Sequence, residues 1–309
     1  MAEREWLTER FEHHRGHLRA VAYRMLGSMT DADDAVQQAW LRIQGQDATS
    51  IENMQAWLTT AVGRVCLNML RSRRSRREEP SAHVPDPVVS FEEIDPEHEA
   101  LMAESVGLAL LVVLDSLGPA ERLALVLHDV FAVPFAEVAA VLDRSEAATQ
   151  QLASRARRRV HGAPEPDPDF ARQREVVDAF FAASRDGDFE ALVAVLDPEV
   201  EVRIDGGLLR KDASLVLHGA ASVARHTAKY SKLSPFVKPA LVNGAAGAVV
   251  APGGRLFSVM AFTVTNGKIS RIDALIDPER LSRLDLQIPG TKDAPGNDGA
   301  PRVSGDTSE

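Results

Sequence analysis

Two short apolar-periodic runs, Phe135 to Leu142 and Glu146 to Val160, are separated only by Asp143, Arg144 and Ser145. A three-residue break between helical runs forces them to pack as a tight pair, because no strand or long loop fits between them. Ser145 is a good N-cap for the second helix, since its hydroxyl can accept an orphan backbone N–H. Upstream, Pro119 opens a helix over Ala120 to His128, an allowed place for proline, and Phe131 to Pro134 makes a turn. On the last helix Leu152, Ala153, Ala156 and Val160 share one face, and Ala147, Gln150, Gln151, Ser154, Arg155 and Arg158 share the other. Gln and Arg suit bidentate contacts to base edges, and Arg and Ser suit phosphates. The pattern fits a DNA-reading helix-turn-helix or a helical hairpin with a solvated polar face.

Charge does not decide between these. Lys plus Arg total 35 and Asp plus Glu 45 in 309 residues, giving −10. What matters for nucleic acid is where the cations lie. Trp57 to Arg77 repeats apolar pairs every four residues and then becomes RSRRSRR. Cations favour a helix C-terminus, but Arg71, Arg73, Arg74, Arg76 and Arg77 exceed what capping requires and could neutralise phosphates. Arg64 and Asn68 lie just upstream. Cys66 falls within the apolar stripe and reads as core; a single cysteine excludes an internal disulfide and a multi-cysteine zinc site and fits a reducing cytosol. The longest apolar run, Val106 to Leu114, is too short for a membrane span, and Met1 to Arg10 is too charged for a signal peptide.

Asp31 to Ile43, DADDAVQQAWLRI, is an amphipathic helix with Ala35, Val36, Ala39, Trp40 and Ile43 on one stripe. Asp31, Asp34, Gln37, Gln38 and Leu41 form the opposite face, either solvated or partner-binding. Proline-rich acidic stretches at 78–99 and 162–170 read as extended linkers. They divide the chain into helical domains over 1–77 and 100–161 and a mixed block over 171–286; 287–309 is too polar to pack. In the mixed block helices at Arg172–Arg185 and Phe189–Leu196 precede strands from Val200 onward. The turn signals there are Asp205-Gly206-Gly207, Asn243-Gly244, Pro252-Gly253-Gly254 and Asn266-Gly267.

An acidic-start helix, a Trp-Leu helix ending in arginines, an acidic proline linker and a helix-turn-helix, in this order, resemble the extracytoplasmic-function (ECF) sigma factors of bacterial RNA polymerase. The segments carrying the resemblance are 31–43, 57–78 and 114–160. It implies that Asp31, Asp34, Gln37, Gln38 and Trp40 dock on the polymerase β′ subunit, and that the β subunit also contacts the chain. It implies further that Arg64, Asn68, Arg71, Arg73 and Arg74 handle the −10 element, and that Ser145, Gln150, Gln151, Ser154, Arg155 and Arg158 read the −35 element. The linker, with Glu92, Glu93, Asp95, Glu97 and Glu99, would thread toward the polymerase active site.

The mixed block resembles a SnoaL-like, ketosteroid-isomerase-like α+β cone, as in the ECF subgroup that carries this extension. The subgroup's local motifs map here onto His83-Val84-Pro85-Asp86-Pro87, Asp205-Gly206-Gly207 and Asp277-Pro278-Glu279-Arg280-Leu281. The resemblance therefore implies a regulatory contact through Pro85, Asp86, Pro87, Asp205, Gly206, Gly207, Asp277, Pro278, Glu279 and Arg280. The expected fold is two all-α domains plus an α+β cone, in a cytoplasmic initiation factor that is a monomer when free. No cofactor, metal or catalytic site is expected; a small ligand in the cone is an open alternative. Asp205, Asp212, His218 and His226 are the available candidates for an enzyme, but nothing in the sequence brings them together. A helix-turn-helix repressor with a ligand-sensing cone and an isomerase-like enzyme with a helical appendage are the competing readings.

Overall fold

The computed structural model describes residues 2–44, 51, 53–74, 82–91, 108–160, 167–207, 209–284, 286, 288 and 289. The first helical domain comprises α1 (Ala2–Leu26), α2 (Met29–Ile43) and α3 (Met54–Arg74). Ser28 caps α2 by accepting the Asp31 N–H at 3.3 Å, so the helix starts at Met29, ahead of the Asp31 at which its acidic run begins. Ala32, Ala35, Val36, Ala39 and Ile43 bury the inner stripe of α2. Cys66 is fully buried in α3, and burial pushes its thiol up to about 12.

The second helical domain holds α4 (Leu108–Asp115), α5 (Pro119–Leu125), α6 (Phe135–Leu142) and α7 (Glu146–Val160). The helix expected over Ala120–His128 stays α-helical only to Leu125 and then widens into a π-turn at Val126–Val130. The helix-turn-helix falls where the spacing placed it. Asp143 adopts the left-handed conformation that closes α6, and Ser145 Oγ accepts the Ala148 N–H at 3.3 Å. Leu152, Ala153 and Ala156 are buried as expected; Thr149 joins them by donating its hydroxyl to the Ser145 carbonyl.

The cone consists of α8 (Phe170–Asp186), α9 (Phe189–Val195), α10 (Ala220–Ala228), α11 (Pro278–Ser282) and strands β2 (Leu196–Asp205), β3 (Leu215–His218), β4 (Val237–Val242), β5 (Ala245–Val250), β6 (Ser258–Thr265) and β7 (Lys268–Leu275). Its sheet has a seventh strand, β1 (Val89–Ser90), contributed by the linker, and the order is β1-β4-β5-β6-β7-β2-β3. Only β2 and β7 run parallel; the other pairs are antiparallel. Asn243-Gly244 and Asn266-Gly267 both take positive φ at the hairpin tips they were expected to make. The strand expected from Val200 begins at Leu196, with a register irregularity before Glu201.

Two apolar cores result. One fills the cone between its sheet and helices, around Val177, Phe180, Leu192, Phe262 and Ile272. The other joins both helical domains to the back of the cone: Leu58 and Leu67 of α3 and Leu123 and Leu127 of the second domain pack in one cluster with Val242, Val249, Leu275 and Leu281. The helical domains and the cone are thus packed together by continuous apolar burial.

Candidate functional site

On α2 the side chains Asp34, Gln37, Gln38 and Leu41 are exposed. Trp40 is half-buried, its ring 4.9 Å from Phe11, so it supports the face rather than lying free on it. Asp31 is turned sideways into an ion pair with Arg73 of α3, which also donates to the Leu26 carbonyl at 3.3 Å. Arg73 therefore ties α3 to α1 and α2 in this state. Asn68 and Arg71 are exposed; the side chain of Arg74 and residues 75–77 lie outside the described residues.

Arg64 projects toward the second helical domain, and its guanidinium reaches the Ala140 carbonyl at 3.5 Å. One residue earlier, Gly63 lets the two domains meet: a Cβ there would sit 2.9 Å from Leu127 Cδ1 and 3.3 Å from Leu123 Cδ1. The Arg64 end of the α3 face expected to handle the −10 element thus abuts the second domain, while Asn68 and Arg71 stay exposed. On α7, Gln150, Gln151, Ser154, Arg155 and Arg158 are exposed. Arg155 also lies 3.9 Å from Glu121, Arg157 is spent on a bidentate bond to Asp129 at 2.6 and 2.7 Å, and Arg159 on Glu121 and the Ser116 carbonyl.

The joint between domains is built around Arg122, the largest fully buried side chain among the described residues. Its Nε and Nη2 donate to the Arg24 carbonyl at the end of α1, at 3.1 and 3.0 Å, and its Nη1 donates to Asp115 at 2.9 Å. A guanidinium presents donors in a fixed fork, so it can satisfy an orphan helix-end carbonyl and a carboxylate at once.

Linker residues 82–91 are held from both sides. The Asp86 N–H donates to the Gly27 carbonyl at 2.7 Å, and the Tyr23 hydroxyl donates to the Asp86 carbonyl at 2.7 Å. From the cone, Asn243 accepts the Val88 N–H at 3.1 Å, donates its own N–H to the Val88 carbonyl at 2.8 Å, and donates its amide to Tyr23 Oη at 2.9 Å. Asp205, buried at the end of β2, accepts the Val84 N–H at 2.9 Å. Arg280 spans the junction, donating to Asp86 at 2.6 Å, to Asp205 at 2.7 Å and to the Val84 carbonyl. The expected regulatory residues Asp86, Asp205 and Arg280 are therefore in direct contact.

Gly207 belongs to the same junction. It has φ +62°, and a Cβ there would lie within 2 Å of Asp277 Oδ2. Asp277 caps α11 by accepting the Glu279 N–H at 2.9 Å, and Pro278 occupies the first helical position. The Gly207 N–H donates to Asp205 at 3.0 Å, so the turn chemistry read in Asp-Gly-Gly is present, and it orients a carboxylate that also grips the linker.

Burial alone would raise the Asp205 pKa, but bonds from His83 and Val84 and the charge of Arg280 outweigh it and hold the carboxyl at about 2. A depressed carboxylate stabilises the fold fully above its ordinary value of 3.8 and loses that contribution as pH falls toward about 2. Amide protection of Val84 is therefore expected to be flat from about pH 8 to 5 and to collapse over the acid window, read by NMR hydrogen exchange. A collapse near neutral pH would contradict this assignment.

The remaining enzyme candidates fall in three places. Asp212 and His226 both line the cavity inside the cone, with Asp212 exposed at its rim and no hydrogen bond between them; His218 is exposed near Glu201, and Asp205 faces the linker. Sequence reading missed Arg122, Asp115, Tyr23 and the anchoring role of Asn243, which it took only as a turn residue. Among the described residues no cluster of His, Cys, Asp and Glu could hold a metal, and no helix is long and apolar enough to cross a membrane.

Fold and surface together define a protein of two helical domains, the second a helix-turn-helix, joined to an α+β cone. Residues 10–76 match Sigma-70 region 2, and residues 107–160 match Sigma-70, region 4. The chain is 41% identical over 294 residues to the ECF RNA polymerase sigma factor SigJ of Mycobacterium tuberculosis, covering 90% of this chain and 94% of that protein. It is 32% identical over 299 residues to a probable ECF RNA polymerase sigma factor, SigI, of the same species, covering 94% of this chain and all of that protein. The crystal structure of Mycobacterium tuberculosis SigJ superposes with a TM-score of 0.74 at 36% identity, over 91% of this chain and 100% of that one. The chain belongs to the ECF RNA polymerase sigma factors.

Proposed function

We propose that this sigma factor docks on core RNA polymerase, through the β′ and β subunits, with the outer face of α2, and directs initiation in the cytoplasm by placing α3 at the −10 element and α7 at the −35 element. Free in solution it is a closed monomer, and the cone holds it closed through the linker. The contact between Arg64 and Ala140 carries the closed-state half of this reading. The two promoter elements are by name about 25 base pairs apart, roughly 85 Å of duplex at 3.4 Å per pair. Domains that touch cannot read both, so α3 and α7 must separate on the polymerase. The α2 face stays exposed in the closed state, which lets docking precede opening.

Run-off transcription with purified core polymerase tests the whole. Asp34→Ala with Gln38→Ala is expected to weaken core association several-fold, and unchanged holoenzyme assembly would remove the docking role. Arg155→Ala and Arg158→Ala are each expected to cost about 1–3 kcal/mol where a base contact is lost, and to lower the salt slope by about one where a phosphate contact is lost. Promoter binding indifferent to both would remove the −35 assignment. Regulation is better probed by point variants than by truncation after residue 161, because deleting the cone would expose the apolar face that α4 and the linker share with Val242, Val249 and Leu275.

A further inference from the structure

The last turns of α7 carry four arginines, Arg155, Arg157, Arg158 and Arg159. A helix advances about 100° per residue. On that wheel Arg155 and Arg158 share the outward face with Gln151 and Ser154, opposite buried Ala156, while Arg157 and Arg159 stand roughly a quarter-turn to either side. When a helix lies in a major groove, its outward face meets base edges and its two flanks meet the sugar-phosphate walls. The flanking arginines therefore occupy the positions best placed for phosphates.

Both are drawn back onto the scaffold. Arg157 gives two bonds to Asp129, at 2.6 and 2.7 Å, and Asp129 lies in the π-turn at Val126–Val130. Arg159 donates to Glu121 at 3.2 Å and to the Ser116 carbonyl at 2.8 Å. Glu121 is fixed in turn by accepting the Gly118 N–H at 3.2 Å, and its other oxygen lies 3.9 Å from Arg155. The side chains of Arg157 and Arg159 are 46% and 50% exposed, whereas those of Asp129 and Glu121 are 25% and 19% exposed. The acids thus sit behind the guanidinium groups, which remain within reach of solvent. All of these residues belong to the second helical domain, so its separation from α3 leaves the pairs in place.

We propose that Asp129 and Glu121 are positioning residues that hold Arg157 and Arg159 back from the DNA backbone, so that α7 binds duplex through its outward face and depends on base contacts. The proposal rests on the reading of α7 as the −35 reader. Each phosphate neutralised adds about 0.9 to the salt slope and strengthens binding to every sequence alike. Such affinity works against a factor that must find its sites among about 10⁶–10⁹ competing ones. Two acids behind two flanking arginines keep that sequence-independent contribution small.

The test uses holoenzyme reconstituted from core polymerase and the full-length chain. It compares a promoter fragment active in run-off transcription with the same fragment carrying a scrambled −35 element. Dissociation constants are measured between about 50 and 200 mM salt. Asp129→Asn is expected to tighten binding to both fragments and to steepen the salt slope by about 0.9, so that its advantage grows about 3.5-fold from 200 down to 50 mM. Glu121→Gln, which keeps an oxygen for the Gly118 N–H, should act likewise through Arg159. Arg157→Gln alone should stay within about twofold of the wild type, since it has no phosphate contact to lose. Asp129→Asn in the Arg157→Gln background should gain nothing, which separates a released arginine from the mere loss of a negative charge.

Unchanged slopes in Asp129→Asn and Glu121→Gln would overturn the proposal. So would a gain that persists without Arg157, or a shallower slope in Arg157→Gln. Weaker binding to both fragments with a lowered melting temperature would show that the pairs only brace α7, and would overturn it too. If Arg155→Ala and Arg158→Ala weaken promoter binding while these slopes stay fixed, this proposal alone falls. If they leave promoter binding unmoved, the −35 reading fails and this proposal with it.

Discussion

Arg280→Met is expected to release residues 82–91 from the cone while leaving the cone folded. The wild-type side chain is only 16% exposed and supplies donors to Asp86, Asp205 and the Val84 carbonyl together. Removing it leaves Asp205 buried and Asp86 half-buried, two carboxylates with no guanidinium between them. Breaking one partner out of a buried ion pair costs about 3–5 kcal/mol. Hydrogen exchange across 82–91 should then accelerate by roughly two to three and a half orders of magnitude, since each 1.4 kcal/mol is tenfold, while β5 and β6 keep their protection. Arg280→Lys restores a charge but not the fork, so it should recover only part of the protection. The linked functional result is faster assembly with core polymerase. Protection of 82–91 that is the same in Arg280→Met as in the wild type would mean that β1 pairing and Asn243 hold the linker without this contact.

How far the sequence foretold these features depends on the range of the contacts that make them. The helix-turn-helix is written locally: Ser145 caps, Asp143 turns, and the apolar stripe of α7 needs only its own periodicity, so the boundaries of α6 and α7 fall on the expected residues. The Asn-Gly hairpins are local in the same sense. The π-turn at Val126–Val130 is not, because nothing in the periodicity of Leu123 to His128 signals a widened turn. The junction was legible only through short motifs around Asp86, Asp205 and Arg280. Their chemistry lies in pairs far apart in the chain, Arg280 with Asp86 across 194 residues and Asn243 with Tyr23 across 220. Pattern reading therefore saw Asn243 as a turn and passed over Arg122. The same blindness explains the linker. Proline content made it extended, and its described residues 82–91 are, but their edge strand on β4 requires a partner that lies about 150 residues downstream.

Arg122→Met is the complementary experiment, directed at the joint between the two helical domains. The substitution keeps the volume of the side chain but removes every donor. The Arg24 carbonyl at the end of α1 loses both of its bonds from the guanidinium, and Asp115 loses its 2.9 Å partner. Asp115 is partly exposed and can take up water, so the main cost is the orphaned carbonyl and the lost bonds, about 1–3 kcal/mol. That cost falls on the joint and not on either domain's own core, so the closed arrangement should give way before the domains unfold. Gly63→Leu should push in the same direction by a different route, wedging a side chain into the space now filled by Leu127 and Leu123. Dyes placed at cysteines replacing the exposed Glu9, outside the α2 docking face, and Gln151 can read the separation, because Cys66 is buried with a thiol pushed up to about 12 and will not compete for label. Both variants should show a longer donor–acceptor distance than the wild type in the absence of polymerase, and a smaller further change when polymerase is added. If the distance in both stays at the wild-type value, neither the Arg122 contact nor the packing around Gly63 holds the domains together, and closure must come from the cone alone.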